Sequence, residues 1–277
     1  MQQKHENINP SRNYYQEKSL ALDSWFRIAS IDYEEIVNNH QFLKIINSFG
    51  DSTINLLDIG CGTGKFPTLL DKAIENNVKF LSDLFDVSEY CVNQCRAVFN
   101  QLKHFQTNEL FVSSTENIQT AIPKSRYYNI IWAIHSFYTV DMNKIKDVLR
   151  HLELLIGPGG ILLIYQASSD SCYHQFYNFY LDNFEQPNRF ARFVTAEDIQ
   201  KTLSLLGLSH SSIDFDFSHK IDYEDRDLLE VYLGKCILNS SVDVLSFFKN
   251  KILDYLDLDR NQFSFKQKTR LIIVKKQ

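Results

Sequence analysis

The feature that most constrains the fold of this chain is a glycine-rich turn, NLLDIGCGTGKF, at residues 55–66. Gly60, Gly62 and Gly64 directly follow an apolar run and precede a segment with helical periodicity. In open α/β sheets, the turn after the first strand lies at the carboxyl ends of the strands, where ligands bind. The turn therefore predicts an α/β fold with a ligand at the turn itself.

The segments around the turn predict a parallel sheet. Apolar runs of strand length alternate with amphipathic runs of helix length, which is typical of a sheet covered by helices on both faces. We expect a helical segment or lid at residues 1–49 and a doubly wound, ligand-binding α/β core at residues 50–170. Residues 171–277 are less regular and should complete the sheet, and the family resemblance described below implies that they also contribute an inserted, substrate-binding lobe.

The composition argues against several function classes. The net charge is −5 and no long basic run is present, so we expect neither a nucleic acid nor an anionic membrane as a partner. The five cysteines are irregularly spaced, which fits neither a disulfide framework nor a paired-cysteine zinc site, and no metal is expected. The polar N-terminus resembles no secretory signal, and no apolar run reaches the roughly 20 residues of a membrane span. We expect a cytoplasmic monomer.

The glycine spacing excludes two phosphate-binding motifs. A dinucleotide fingerprint that starts at Gly60 and Gly62 would need a third glycine where the chain has Lys65. A P-loop would need a glycine where the chain has Ile59 and a serine or threonine where it has Phe66. The turn therefore predicts a ligand other than a dinucleotide or a nucleoside triphosphate.

The spacing that remains, Asp58-x-Gly60-x-Gly62-x-Gly64, resembles the nucleotide-binding signature of class I S-adenosylmethionine-dependent methyltransferases. Glycines let the backbone approach the methionine and ribose parts of such a ligand, and Asp58 adds a negative charge near its ammonium and sulfonium groups. A glycine-rich turn without a ligand is the alternative. The resemblance implies a Rossmann-like methyltransferase sheet with S-adenosylmethionine as the cofactor.

Two further segments extend the expected cofactor site. Asp86 ends the second predicted strand, where an acidic residue accepts hydrogen bonds from ribose hydroxyls; capping of the next helix is the alternative role. The segment FVSSTENI resembles the part of the superfamily that contacts adenine, which implicates Ser114 and Thr115.

From the fourth predicted strand onward the resemblance becomes narrower. The segments NIIWAIHSFYTV, RFVTAEDIQKTLSLLGL, DLLEVYL and KTRLIIVKK follow, in order, the layout of the histamine N-methyltransferase family. This resemblance implies a small helical lobe that covers the acceptor, and it implies that the backbone of Ile134 packs against the cofactor. The substrate-binding residues that it implies are Asp32, His135, Tyr138, Tyr173, Tyr177, Phe184, Tyr232 and Lys268.

Some of these positions differ from the family or have ordinary structural alternatives. His135 stands where the family has a glutamine, and Lys268 stands where it has an asparagine, so we expect an acceptor other than histamine. His135 could instead be a structural histidine, and Lys268 a solvated strand residue. The helically spaced aromatic residues between Tyr173 and Phe184 could instead form a core-facing helix surface.

Three functions remain open. The first is N-methylation of a small-molecule amine, with His135 as proton acceptor and Tyr138 as the second catalytic candidate; the resemblance favours it. The second is O-methylation of a carboxylate on a small metabolite or short peptide, which the replacement of neutral amides by His135 and Lys268 favours. The third is a protein that binds the cofactor without catalysis. The absence of an Asn/Asp-Pro-Pro-aromatic segment after the fourth strand argues against a DNA amino-methylase.

Overall fold

The computed structural model describes residues 22–50, 52–184, 192–239 and 241–276, and its central feature is an eight-stranded sheet. The order along the sheet is β3-β2-β1-β4-β5-β8-β6, with the short β7 paired to β8. Strands β1 to β5 are parallel to one another, whereas β8 is antiparallel to both β5 and β6. The strands are β1 (Thr53–Ile59), β2 (Lys79–Asp86), β3 (Phe105–Val112), β4 (Tyr128–Ile134), β5 (Ile156–Ala167), β6 (His210–Asp222), β7 (Leu256–Asp257) and β8 (Gln262–Lys275).

Helices cover both faces of the sheet. They are α1 (Leu22–Val37), α2 (His40–Asn47), α3 (Lys65–Ala73), α4 (Glu89–Phe99), α5 (Ile118–Ala121), α6 (Met142–Leu155), α7 (Cys172–Asn183), α8 (Ala196–Leu205), α9 (Arg226–Ile237) and α10 (Val244–Phe247), with 3-10 turns at Thr115–Asn117 and Lys251–Tyr255. None of these described helices is long and apolar enough to cross a membrane.

Alternate residues of the central strands pack into two separate cores. In β4, Ile130 and Trp132 belong to the cluster under α1 to α4, whereas Ile131 and Ala133 belong to the cluster under α5, α6 and α8. A strand that is apolar on both faces can be stable only in this doubly covered setting. The doubly wound α/β fold predicted from the sequence is therefore confirmed.

The helical lobe is built on a part of the sheet that extends past the parallel strands. Pairing of β5 with β8 ends at Ala167 and Thr269, but β6 and β8 continue to pair as far as Asp222 and Gln262. Apolar side chains of α1, α7, α9 and α10 pack on this two-stranded extension in a third core. The lobe therefore lies at the carboxyl ends of β1, β2, β4 and β5. The first 21 residues of the expected N-terminal segment lie outside the described residues.

Candidate active site

The glycine turn after β1 is left-handed at all three of its glycines. The φ angles are +69° at Gly60, +52° at Gly62 and +78° at Gly64. A Cβ atom at Gly60 would lie 2.3 Å from Cβ of Ser136, so glycine is required there for the turn to pack against the end of β4. A Cβ atom at Gly62 would meet no protein atom within 4 Å, although Gly62 lines a pocket. Gly62 therefore presents open backbone to that pocket.

Asp86, at the end of β2, holds the turn in place. Its Oδ2 accepts a hydrogen bond from the Gly62 N–H at 3.0 Å, and its Oδ1 accepts one from the Ser88 N–H at 2.9 Å. Each carboxylate oxygen keeps a second lone pair for a ligand hydroxyl, and Asp86 lines the pocket. Burial raises the pKa of Asp86 above its ordinary value. The N-cap of α4 is Ser88 and not Asp86, so the capping alternative is wrong.

The pocket is formed where the strand ends meet the lobe. Three buried polar atoms of its walls have no hydrogen-bond partner among the described residues: Thr63 Oγ1, Ser136 Oγ and Gln166 Oε1. A buried polar atom without a partner is costly, so these atoms favour a polar ligand. The open glycine backbone, the carboxylate of Asp86 and these atoms together fit an adenosine-type cofactor. Four other expected cofactor residues line the same pocket, namely Gly60, Ser114, Thr115 and Ile134.

Two expected cofactor residues lie outside the pocket lining. Gly64 begins α3, and a Cβ atom there would lie 3.2 Å from Cγ1 of Val98, so this glycine serves the packing of α3 against α4. Asp58 is buried, and its Oδ2 has no hydrogen-bond partner among the described residues. Burial raises the pKa of Asp58 to about 7. Near neutral pH, Asp58 is therefore ionised in only part of the molecules, and only there does it place a negative charge close to the turn.

A buried carboxylate, Asp32 of α1, forms the centre of a polar cluster on the pocket wall. Its Oδ1 lies 3.1 Å from Nε2 of His135, at the end of β4, and its Oδ2 lies 2.9 Å from Nε2 of His219 in β6. The Tyr173 hydroxyl of α7 donates to Oδ2 at 3.0 Å. Burial alone would raise the pKa of Asp32, but the two facing imidazoles hold it well below its ordinary value. Asp32 is therefore a carboxylate at neutral pH.

His135 is held in an unusual backbone conformation. Its φ angle is +50°, a left-handed backbone value that residues other than glycine rarely adopt. Its backbone N–H donates to the Tyr165 carbonyl at 2.8 Å, and its ring meets the Tyr165 ring edge-on. Strained backbone of this kind persists where the surrounding structure fixes a functional side chain. Asp32, His135, Tyr138 and Tyr173 all line the pocket, as expected from the sequence.

The aromatic residues Tyr177, Phe184 and Tyr232 do not line the pocket. Tyr177 stacks behind Phe193, which does line it. Phe184 packs against Tyr180 in the lobe. Tyr232 is fully buried, and its hydroxyl lies 3.2 Å from Nδ1 of His219. Tyr177 and Phe184 therefore pack in the core of the lobe, as the core-face alternative predicted for the helical stripe, and Tyr232 of α9 is buried in the same core.

Lys268 is not brought into the pocket, and the expectation that it meets the acceptor is wrong. It forms an ion pair with Asp170 at 3.0 Å on the surface. Side chains alternate between the two faces of a strand, and in β8 the buried positions are Gln267 and Thr269. The Lys268 side chain thus points to the opposite face of β8 from the buried side-chain amide of Gln267.

Sequence reasoning missed several residues of the pocket. Trp25 and Tyr33 line it from α1, and Gln166 lines it from the end of β5. Lys235 of α9 also lines it, and burial lowers the pKa of this lysine to about 7. The one available signal was helical spacing in α1, which places Trp25, Ala29, Asp32 and Tyr33 on one face.

Comparisons with known proteins agree with this geometry. A family model described as a methyltransferase domain matches residues 33–211. Malonyl-[acyl-carrier protein] O-methyltransferase 2 of Ilyobacter polytropus is 25% identical over 163 residues, which cover 58% of this chain and 57% of that protein. The chain therefore spans little more than half the length of this curated relative.

Solved structures of low sequence identity share the fold. Magnesium protoporphyrin IX methyltransferase (ChlM) from Synechocystis, with bound SAH, has a TM-score of 0.54 and 12% identity, over 97% of this chain and 100% of that one. YcgJ from Bacillus subtilis has a TM-score of 0.55 and 15% identity, over 86% of this chain and 99% of that one. None of these findings tests the resemblance to histamine N-methyltransferases, which stays a prediction.

Proposed function

We propose, from the premise that this chain belongs to the methyltransferase-domain family, that it is an S-adenosylmethionine-dependent enzyme that methylates the nitrogen of a small-molecule amine. The membership of the family and the identity of the cofactor follow from the family match and from the shared fold. The choice of an amine is our inference. The observation that carries it is the carboxylate–imidazole pair of Asp32 and His135 in an aromatic-walled pocket.

The cofactor side of the pocket follows from the glycine turn. Gly60 and Gly62 would border the methionine and ribose parts, with open backbone at Gly62, and Asp86 would accept hydrogen bonds from the ribose hydroxyls. Ser114 and Thr115 would lie near the adenine. S-adenosylmethionine supplies an activated methyl group on a positively charged sulfur, so the protein has to provide position and a dry pocket.

The acceptor side suits a cation. The rings of Trp25, Tyr33, Tyr138 and Tyr173 line the pocket, and the faces of aromatic rings attract ammonium groups. Asp32 adds a buried negative charge. An amine that arrives as an ammonium ion would therefore be bound more tightly than a neutral or anionic molecule of the same size.

An ammonium ion must lose a proton before its nitrogen has a lone pair to attack the methyl group. His135 lines the pocket and can accept this proton, because the imidazolium that forms would face the carboxylate of Asp32. The nitrogen–carbon bond then forms as the carbon–sulfur bond breaks. The methylated amine leaves with a positive charge, and the proton on His135 passes to solvent.

Carboxyl O-methylation is the second candidate, and Lys235 favours it. This lysine lines the pocket and could neutralise an acceptor carboxylate. The Ilyobacter relative is named as an O-methyltransferase. The earlier support from Lys268 is lost, since that side chain lies at the surface in an ion pair.

A substitution at His135 separates the two candidates. The enzyme and a His135→Gln variant would be incubated with S-adenosylmethionine and two acceptor panels, one of primary amines and one of carboxylic acids. Products would be detected by the mass gain of one methylene. An amine must be deprotonated, so the variant should lose about 10²–10⁴ in rate, whereas an ionised carboxylate needs no base and should react nearly as before.

The control is the affinity of both proteins for S-adenosylhomocysteine, measured by calorimetry. Equal affinities of the two proteins would show that the substitution changes the reaction of the acceptor and not the binding of the cofactor. Methylation of carboxylic acids alone, with the rate unaffected by His135→Gln, would reject the amine proposal in favour of the second candidate. Binding of the cofactor without methylation of either panel would favour the non-catalytic alternative.

A further inference from the structure

We propose that His219, supported by Tyr232 and Gln267, is a positioning residue that fixes which ring nitrogen of His135 carries the proton. This inference rests on the proposed function, in which His135 accepts a proton from the acceptor. No sequence feature had singled out His219 or Gln267. Both are fully buried polar side chains that the lobe encloses, and neither lines the pocket.

These residues form a continuous polar chain through the apolar lobe. Ser171 Oγ donates a hydrogen bond to Oε1 of Gln267, and Nε2 of Gln267 donates to the Tyr232 hydroxyl at 2.8 Å. That hydroxyl lies 3.2 Å from Nδ1 of His219, whose Nε2 lies 2.9 Å from Oδ2 of Asp32. The side chains come from α7, β8, α9, β6 and α1, and each is 1% exposed or less. Five separate elements therefore converge on one carboxylate.

The Asp32 carboxylate determines the direction in which hydrogen bonds are donated along this polar chain. Asp32 can only accept, so Nε2 of His219 must carry a hydrogen. A neutral His219 then has its lone pair on Nδ1, and the Tyr232 hydroxyl must donate to it. Tyr232 in turn accepts from the Gln267 amide, and the other end of that amide, Oε1, accepts from the Ser171 hydroxyl, which can adapt to either orientation. Every proton in the chain thus has one assigned position.

The same logic determines the tautomer of His135. Oδ2 of Asp32 is occupied by His219 and by the Tyr173 hydroxyl, so Oδ1 remains for Nε2 of His135 at 3.1 Å. Because an ionised carboxylate accepts only, Nε2 of His135 must donate. The neutral ring therefore keeps its lone pair on Nδ1, for which the described part of the chain provides no hydrogen-bond donor. Nδ1 is then the atom that receives the proton of the acceptor.

His219 is necessary because it keeps Asp32 ionised. The 2.9 Å contact does not meet the geometry of a hydrogen bond, so its effect is mainly that of a buried dipole or charge next to the carboxylate. Without His219, burial would favour protonation of Asp32. A protonated Asp32 would donate to Nε2 of His135 and drive the imidazole proton to Nδ1, which would remove the base.

Nuclear magnetic resonance of the ligand-free protein tests this directly. The eight histidines would be labelled with ¹⁵N, and long-range nitrogen–proton correlations would distinguish protonated ring nitrogens from those with a lone pair. Substitution of single histidines would assign the signals. We expect the neutral form of each ring, His135 and His219, to be protonated at Nε2 by about tenfold or more over the other tautomer.

Three variants and a control define the outcome. His219→Leu removes both ring nitrogens and should convert His135 to a mixture of forms, whereas His219→Gln retains a donor and an acceptor and should restore the single form. Tyr232→Phe removes the donor to Nδ1 but leaves the carboxylate in place, so His219 should keep its hydrogen on Nε2. Tyr180→Phe also removes a hydroxyl from the lobe. The Tyr180 hydroxyl accepts a hydrogen bond from Asn239 and is not part of the polar chain, so this substitution should change neither the His135 nor the His219 signal.

Two results would overturn the proposal: a proton on Nδ1 of His135 in the unmodified protein, or an unchanged His135 tautomer in His219→Leu. If His219→Leu does not fold, a proton on Nδ1 of neutral His219 in the unmodified protein would overturn it equally. The measurement needs no acceptor. A tautomer as expected without methylation of any amine would therefore refute the proposed function and leave the positioning role of His219 in place.

Discussion

Substitution of Gly62 by alanine should damage cofactor binding far more than it damages the fold. A left-handed φ of +52° costs an alanine about 1–2 kcal/mol of stability. The new methyl group would meet no protein atom within 4 Å, so no steric cost is added. It would instead occupy the space in which a ligand approaches the backbone. We expect the affinity for S-adenosylhomocysteine to fall at least about tenfold, which corresponds to about 1.4 kcal/mol.

Two other glycines provide matched controls. Gly50 has a φ of +63° and open space at its Cβ position, but it does not line the pocket. Gly50→Ala should therefore lose the same 1–2 kcal/mol in urea unfolding while binding S-adenosylhomocysteine normally in calorimetry. Gly60→Ala should lose a further 1–3 kcal/mol, roughly, because its Cβ would overlap Ser136 at 2.3 Å. Unchanged affinity in a folded Gly62→Ala variant would refute the assignment of this turn to the cofactor.

Three further predictions concern single side chains. Asp86→Ala should weaken S-adenosylhomocysteine binding at least about tenfold in calorimetry, because the ribose hydroxyls and the Gly62 N–H lose their acceptor; unaltered binding would contradict this. Lys268→Asn should leave the KM of every acceptor unchanged, since the ion pair with Asp170 lies outside the pocket, and a changed KM would contradict the placement. Asp58, with a pKa of about 7, binds more protons in the folded than in the unfolded state between about pH 4 and 7. Stability in urea should therefore fall as pH rises through that range, and Asp58→Asn should remove this part of the slope; an equal slope in both proteins would exclude Asp58 as its source.

The fold could be predicted from the sequence because its signals are local. Apolar runs such as that of β4 can be stable only inside a covered sheet, and the glycine turn marks the end of the first strand. The length of β8 was not predictable in the same way. Its first half, QFSFKQK, reads as a polar segment, although its alternating Phe263, Phe265 and Gln267 face the lobe. Such a strand is stabilised by a partner far away in sequence.

The candidate site could be predicted only in part. Gly60, Gly62 and Asp86 lie at strand ends, where their position follows from the order of the elements. Lys268 was wrongly placed because a shift of one residue along a strand reverses the direction of a side chain. His219 could not have been found, because its role depends on a carboxylate in α1 that reaches it only through the packing of the lobe.

The contacts of Asp32 also have a consequence for how the protein folds. This one carboxylate joins residues that are 103 and 141 positions apart along the chain, and contacts across such separations form slowly because long loops must first close. The parallel strands around β1 and β4 can assemble from nearer segments. During synthesis, the parallel half of the sheet with the glycine turn can therefore form while the chain is still growing, but the contacts of Asp32 with His219 have to wait until β6 and β8 have emerged and paired. The polar cluster around Asp32 is therefore completed in the last stage of folding.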